Sequence, residues 1–154
     1  MKKAISLILV FSMMLLLAAC GGKTEEAVTI DVNALYESYS QYMPEMFYPD
    51  EDTMLNFLGI STEDCVQYKV AVCAEGMRAD EVWLIEAKDT AALEKLTNLA
   101  NTRLAAKLDE TISYNPEQYL VCEQGVIVTE GLYLAFLVSP DVNTFQASFE
   151  AAFN

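Results

Sequence analysis

The 154-residue sequence contains no histidine. That removes Ser-His-Asp and Cys-His catalysis in their usual forms, together with the commonest metal ligand. Basic residues are scarce as well, 9 against 23 acidic, and after the first three residues no Lys/Arg cluster appears. A chain of net charge -14 repels phosphate backbones, so nucleic acid is not an expected partner. The six glycines form no phosphate-binding loop. The four cysteines lack the paired CxxC spacing of zinc or thioredoxin-like sites, and no acidic run has the alternating spacing of an EF-hand. No metal and no cofactor is expected.

Long apolar runs are also missing, with one exception. Lys2 and Lys3 are followed by an uncharged apolar stretch from Ala4 to Leu17, then the small residues Ala18 and Ala19, then Cys20. This is the order of a secretory signal. The stretch is short for a spanning helix, which needs about 20 apolar residues to cross about 30 Å of hydrocarbon. Leu17, Ala18, Ala19 and Cys20 resemble the bacterial lipobox. That resemblance implies cleavage between Ala19 and Cys20, with a diacylglyceryl group on the Cys20 sulfur. A diacyl anchor holds a protein stably on a bilayer where a single chain holds only marginally. The bilayer is therefore the first expected partner, and the outer face of the cell membrane the expected location.

Removing residues 1–19 takes Lys2 and Lys3 but no acid, leaving 7 basic against 23 acidic residues and a net charge of -16. Residues 20–30 carry two glycines and few apolar side chains and read as a lipidated tether. Residues 31–154 are enough for a single domain that buries a core without disulfides. Three further cysteines remain, Cys65, Cys73 and Cys122, an odd number that leaves one thiol unpaired within a chain. Cys65 and Cys73 stand at the two ends of one predicted strand, about 26 Å apart, and cannot bridge at a Cα limit of about 7 Å. A bridge from Cys122 to either stays open, with small buried thiols the simpler expectation.

Helical spacing of Val32, Leu35, Tyr36, Tyr39, Tyr42 and Met43, capped by Asp31 and stopped by Pro44, predicts a first helix, its tyrosines serving as core. Asp50, Glu51 and Asp52 suit the start of a second, short helix that ends at Gly59 in a Schellman arrangement. The segments 65–74 and 81–88, rich in Val, Ile, Tyr and Trp, predict a β-hairpin. In its first strand Val66, Tyr68, Val70 and Val72 lie on one face, and one face should meet the core. Asp89 caps a long helix with a stripe of Leu93, Leu96, Ala100, Leu104 and Leu108; Glu94, Lys95, Asn101 and Lys107 lie off that stripe. Arg103 beside Asp109 or Glu110 reads as an exposed helical ion pair. Asn115 and Pro116 open a short helix ending near Gly125. Residues 126–129 and 132–138 predict a second hairpin around Glu130 and Gly131, and Asp141 opens a last helix with Val142, Phe145, Phe149 and Phe153 inward. The order predicts an α+β fold: an antiparallel sheet of two hairpins covered by helices, with a helix leading into it at the N-terminal side.

Several pieces of this pattern resemble one family. They are Ala79, Asp80, Glu81 and Val82 leading into Glu86, Ala87, Lys88 and Asp89; Arg103 in the long helix; Tyr114 and Pro116; and the closing Gly131, Leu132 and Tyr133. Across roughly Asp31 to Asp141 the chain is similar to small lipoproteins of Gram-positive, clostridial-type bacteria that carry the domain of unknown function numbered 4358. The resemblance implies a lipoprotein address and a small α+β domain, and it brings no activity with it. Cys73, where an ordinary apolar residue is expected, departs from the pattern.

Three functional readings follow. The first is a non-catalytic binding or interaction module of the cell envelope, whose partner is an envelope protein or a wall ligand. The second is a small envelope hydrolase working through carboxylates, which requires a cleft holding two acids with separated pKa values. The third is an accessory lipoprotein of a transporter or wall-assembly complex, which requires an exposed apolar patch. No catalytic residue is assigned by the sequence, and Cys20, with the bond between Ala19 and Cys20, is its one modification site.

Overall fold

A computed structural model describes residues 28–154, so the signal sequence, Ala19, Cys20 and most of the tether lie outside the described residues. Helix α1 (Val32–Ser40) starts where Asp31 turns its carboxylate onto the backbone N–H groups of Asn33 and Ala34. It ends three residues before Met43, so Tyr42 falls outside it and is half exposed, while Tyr36 and Tyr39 are buried. A two-residue strand β1 (Met46–Phe47) follows. Next comes α2 (Glu51–Thr53), capped by the Asp50 side chain on Thr53 N, which runs into a π-helical turn over Met54–Leu58.

Gly59 ends that turn at φ 73°, the left-handed conformation that only glycine adopts without strain. The closing bond runs from Ile60 N–H to the Met54 carbonyl. That loop is one residue wider than the expected Schellman closure, because the turn before it is already wound to the π spacing.

Strand β2 (Cys65–Cys73) and strand β3 (Glu81–Ala87) form the first hairpin. Then come α3 (Thr90–Tyr114), capped by Asp89 on Ala92 N, and α4 (Pro116–Glu123), capped by Asn115 on Gln118 N. Strands β4 (Val126–Glu130) and β5 (Tyr133–Val138) make the second hairpin, and α5 (Val142–Ala151) closes the fold. The β4–β5 loop is Gly131–Leu132, with positive φ at Gly131 alone, as a type II′ turn requires.

The sheet is antiparallel throughout, in the order β1-β2-β3-β5-β4, so the two hairpins meet through β3 and β5. This is the α+β architecture that the sequence predicts, with one difference. The two-residue strand β1 adds an edge beyond the two predicted hairpins, and helices cover both faces of the sheet. Trp83, Ile85, Leu134, Phe136 and Val138 pack under α3 and α4, while Val82, Leu84, Ala135 and Leu137 pack under α1 and α5. Both central strands therefore read as continuous apolar runs, because each residue of the alternation has a helix above or below it. In β2, Val70 meets one core and Ala71 the other, whereas Val66 is exposed. No helix among the described residues is long and apolar enough to cross a membrane.

Candidate functional site

Strand period and helix period converge at one end of the sheet. Residues two apart on a strand share a face, so Glu81 stands beside Trp83 on the side of β3 that faces α3. Residues four apart on a helix share a face, so Arg103 and Lys107 descend together from α3 onto that spot. The Glu81 carboxylate is fully buried. It accepts from Trp83 Nε1 at 2.9 Å, from Arg103 Nε at 3.1 Å and Nη2 at 2.9 Å, and from Lys107 Nζ at 2.8 Å. Lys107 Nζ also donates to the Ala79 carbonyl at 2.9 Å. Lys107 is almost wholly buried and Arg103 keeps a quarter of its side chain in solvent.

This arrangement corrects two sequence expectations. Arg103 does not pair with Asp109 or Glu110 along an exposed helix; among the described residues its ion pair is with Glu81 across the sheet–helix boundary. Lys107 does not lie off the buried stripe but continues it after Ala92, Leu96 and Ala100. Burial alone would lower the Arg103 pKa, but the Glu81 hydrogen bonds and charge outweigh it and hold the guanidinium above its ordinary value. With one carboxylate against two cations, the cluster carries a net charge of about +1 inside an acidic domain.

A second pair lies next to it. Asp80 is buried and accepts from Arg78 Nε at 3.0 Å through Oδ2, while its Oδ1 has no hydrogen-bond partner among the described residues. The Gln118 side chain takes Ala79 N–H at 2.7 Å and Asn115 Nδ2 donates to the Met77 carbonyl, which ties the β2–β3 loop to the α3–α4 junction.

Two clefts flank the cluster. One, of about 190 Å3, has Arg103 in its wall among Phe47, Pro49, Phe57, Leu58 and Val72. The other, of about 180 Å3, has Lys107 in its wall with Met77, Glu110, Tyr114 and Gln118. A third depression, of about 400 Å3, runs along α3 from Ala91 to Thr102 and includes Glu94. The first holds no acid and the other two hold one each, so none of the three brings together the carboxylate pair that glycoside hydrolysis needs. Among the described residues no cluster of three or more His, Cys, Asp or Glu side chains could hold a metal ion.

None of the described cysteines lines these clefts. Cys65, Cys73 and Cys122 are all free thiols. Burial pushes Cys65 up to about 11 and raises Cys122 as well, which suppresses the thiolate that nucleophilic chemistry needs.

At the other end of β2, Asp64 accepts from Lys95 at 2.6 Å and Lys88 at 3.0 Å. The hydrogen bonds from Lys95 and Lys88 lower its pKa below the usual carboxylate range. A folded-state pKa below the unfolded one stabilises at pH above the unfolded value of about 4 and loses that contribution as pH falls through the folded value. An Asp64→Asn variant is therefore expected to show a shallower fall in denaturation midpoint than the wild type between about pH 4 and pH 2. Identical slopes would show that the pair does not act on folding.

Fold and site together define a small α+β domain with a helix-covered antiparallel sheet and an ion-paired cleft at one end of it. A model of a domain of unknown function, DUF4358, matches residues 37–139. The chain belongs to this family. No curated protein and no solved structure matches it.

Proposed function

We propose that the protein is a lipoprotein attached through Cys20 to the outer face of the cell membrane, and that its domain binds an envelope partner or wall ligand without catalysing a reaction. The observation that carries this reading is the sequence order at the N-terminus: Lys2 and Lys3, an apolar stretch, Leu17-Ala18-Ala19-Cys20, then a polar tether. The fold supports it by polarity. Ile30 N–H donates to the Tyr133 hydroxyl, the Ile30 carbonyl accepts from Gln67 Nε2, and Val32 N–H donates to Gln67 Oε1. These contacts fix the point where the tether joins the domain at the Gln67–Glu86–Tyr133 row of the sheet.

The Arg103 cleft lies at the opposite end, at the Val72–Glu81–Val138 row. Five residues of β3 separate the rows, about 17 Å at the usual rise. A tether of about ten residues reaches at most about 35 Å, and a strongly acidic domain is repelled by an anionic bilayer. The tether therefore meets the domain at the end of the sheet away from the cleft. The exposed aromatics near it, Phe47 and Phe57, suit a binding surface more than a solvated one.

Photo-crosslinking in intact host cells tests this. A photoreactive residue at position 57 is expected to give discrete adducts, and one at the exposed position 66, near the tether row, is expected to lack them. The absence of adducts at 57, or the same adducts at both positions, would refute a partner-binding surface at the cleft.

A further inference from the structure

We infer that the cleft beside Arg103 binds a carboxylate carried on an apolar body about the size of one amino-acid residue. The argument starts with how the guanidinium is shared. Its Nε and Nη2 groups face Glu81, which occupies one edge of the fork. Among the described residues Nη1 makes no hydrogen bond and is not a buried unpartnered atom, and with a quarter of the side chain exposed and Arg103 in the cleft wall, the second edge, Nη1 with Nη2, is the one left for a ligand. A guanidinium edge is the geometry that takes a carboxylate through two parallel hydrogen bonds.

Charge points the same way. The Glu81–Arg103–Lys107 cluster has one cation in excess, and the cleft wall contains no acid. Glu110 also acts on the Arg103 charge but stands in the wall of the neighbouring cleft, so an anion in this one meets Arg103 with no acid in the wall. The neighbouring cleft does not compete. Lys107 Nζ is already committed to Glu81 and Ala79, and Glu110 in that wall repels an anion.

The rest of the cleft sets the body of the ligand. Phe47, Pro49, Leu58 and Val72 offer apolar walls, and Phe57 leaves 81% of its surface in water. Covering such surface is favourable in proportion to the apolar area removed from solvent. At about 190 Å3 the space is below the roughly 300–1,000 Å3 of sites for larger ligands, which limits the occupant to one ring or branched chain beside the carboxylate.

This inference rests on the reading of the domain as a binding module and is independent of the Cys20 anchor. The test uses the whole lipidated protein in phosphatidylcholine nanodiscs, titrated with 3-phenylpropanoate and with its neutral amide by calorimetry. The acid is expected to bind at least tenfold more tightly than the amide, with the difference shrinking as salt rises. A Phe57→Ala variant should lose at least fivefold in affinity for the acid while keeping the wild-type fluorescence of Trp83. Since Phe57 is exposed, this variant avoids the folding defect that removal of Arg103 would bring. A peptide ending in a free phenylalanine separates the sources: tighter binding than 3-phenylpropanoate assigns a polypeptide C-terminus, and weaker binding assigns a free acid. Equal binding of acid and amide would overturn the carboxylate assignment alone. Binding of neither, together with no crosslink at position 57 in cells, would overturn the binding-module reading as well.

Discussion

Replacing Glu81 by alanine is expected to destabilise the fold by about 3–5 kcal/mol, because two cations then share a buried site with no counter-ion. The comparison with Lys107→Met gives the prediction its content. Removing Lys107 leaves Arg103 and Glu81 as a neutral pair, and the group left without its donor is the Ala79 carbonyl. An orphaned buried acceptor costs about 1–3 kcal/mol. The order is fixed by the net charge of the cluster: losing the acid strands two cations, whereas losing one cation strands none. Trp83 Nε1 also loses its acceptor in Glu81→Ala, which adds to the difference. Against a typical domain stability of about 5–15 kcal/mol, the Glu81 loss is large enough to read from urea unfolding. Trp83 is the single tryptophan and reports from within the site. A Glu81→Ala loss no larger than that of Lys107→Met would show that the cluster is not held together by its charge balance.

Truncating Phe136 to alanine is expected to cost a similar amount, about 3–5 kcal/mol, for a different reason. Phe136 is fully buried on β5, directly opposite Trp83 on β3, with ring centroids 4.8 Å apart at 65°. On its other side it is paired with Ile127 of β4, so it sits where the two hairpins join under α3. Close packing leaves little room for collapse into the vacated volume, and the loss therefore includes a cavity as well as buried surface. Phe136→Leu keeps most of the volume and is expected to cost less than about 1.5 kcal/mol. Trp83 emission should shift in the alanine variant and change little in the leucine variant. Equal costs for the two would mean that shape at this junction does not contribute to stability.

Much of the fold is legible in the sequence because its signals are local. Asp31, Asp50, Asp89 and Asn115 each cap the helix that their position predicts, and Gly131 turns the second hairpin. The covering of both sheet faces is less legible. A half-buried edge strand such as β4 and a fully buried strand such as β5 differ in which helices lie above and below them, and that is a long-range property.

The site is harder still, since it joins residues 22 and 26 positions apart from Glu81. A signal was nevertheless present. Ala92, Leu96, Ala100, Arg103 and Lys107 advance by four, four, three and four, which is the buried face of a helix continued by two cations. Glu81 falls in step with Trp83, Ile85 and Ala87 on one face of its strand. Charged residues in register with a buried stripe on both a helix and a strand imply a partner for each. Leu104 and Leu108 compete with Arg103 and Lys107 for the end of the stripe, and in the fold they are only partly buried. The cleft depends on Phe47, which the β1–β2 pairing sets beside Val72, and on Phe57 in the turn over Met54–Leu58, both far from Arg103 in sequence.

Membrane attachment through Cys20 is tested most directly by the intact mass of the protein extracted from membranes of its natural host. The expected result is a chain beginning at Cys20 and carrying a diacylglyceryl thioether, with neither feature present in a Cys20→Ala variant. A membrane-extracted chain that keeps residues 1–19 unmodified, or wild-type protein released into the medium without lipid, would contradict it.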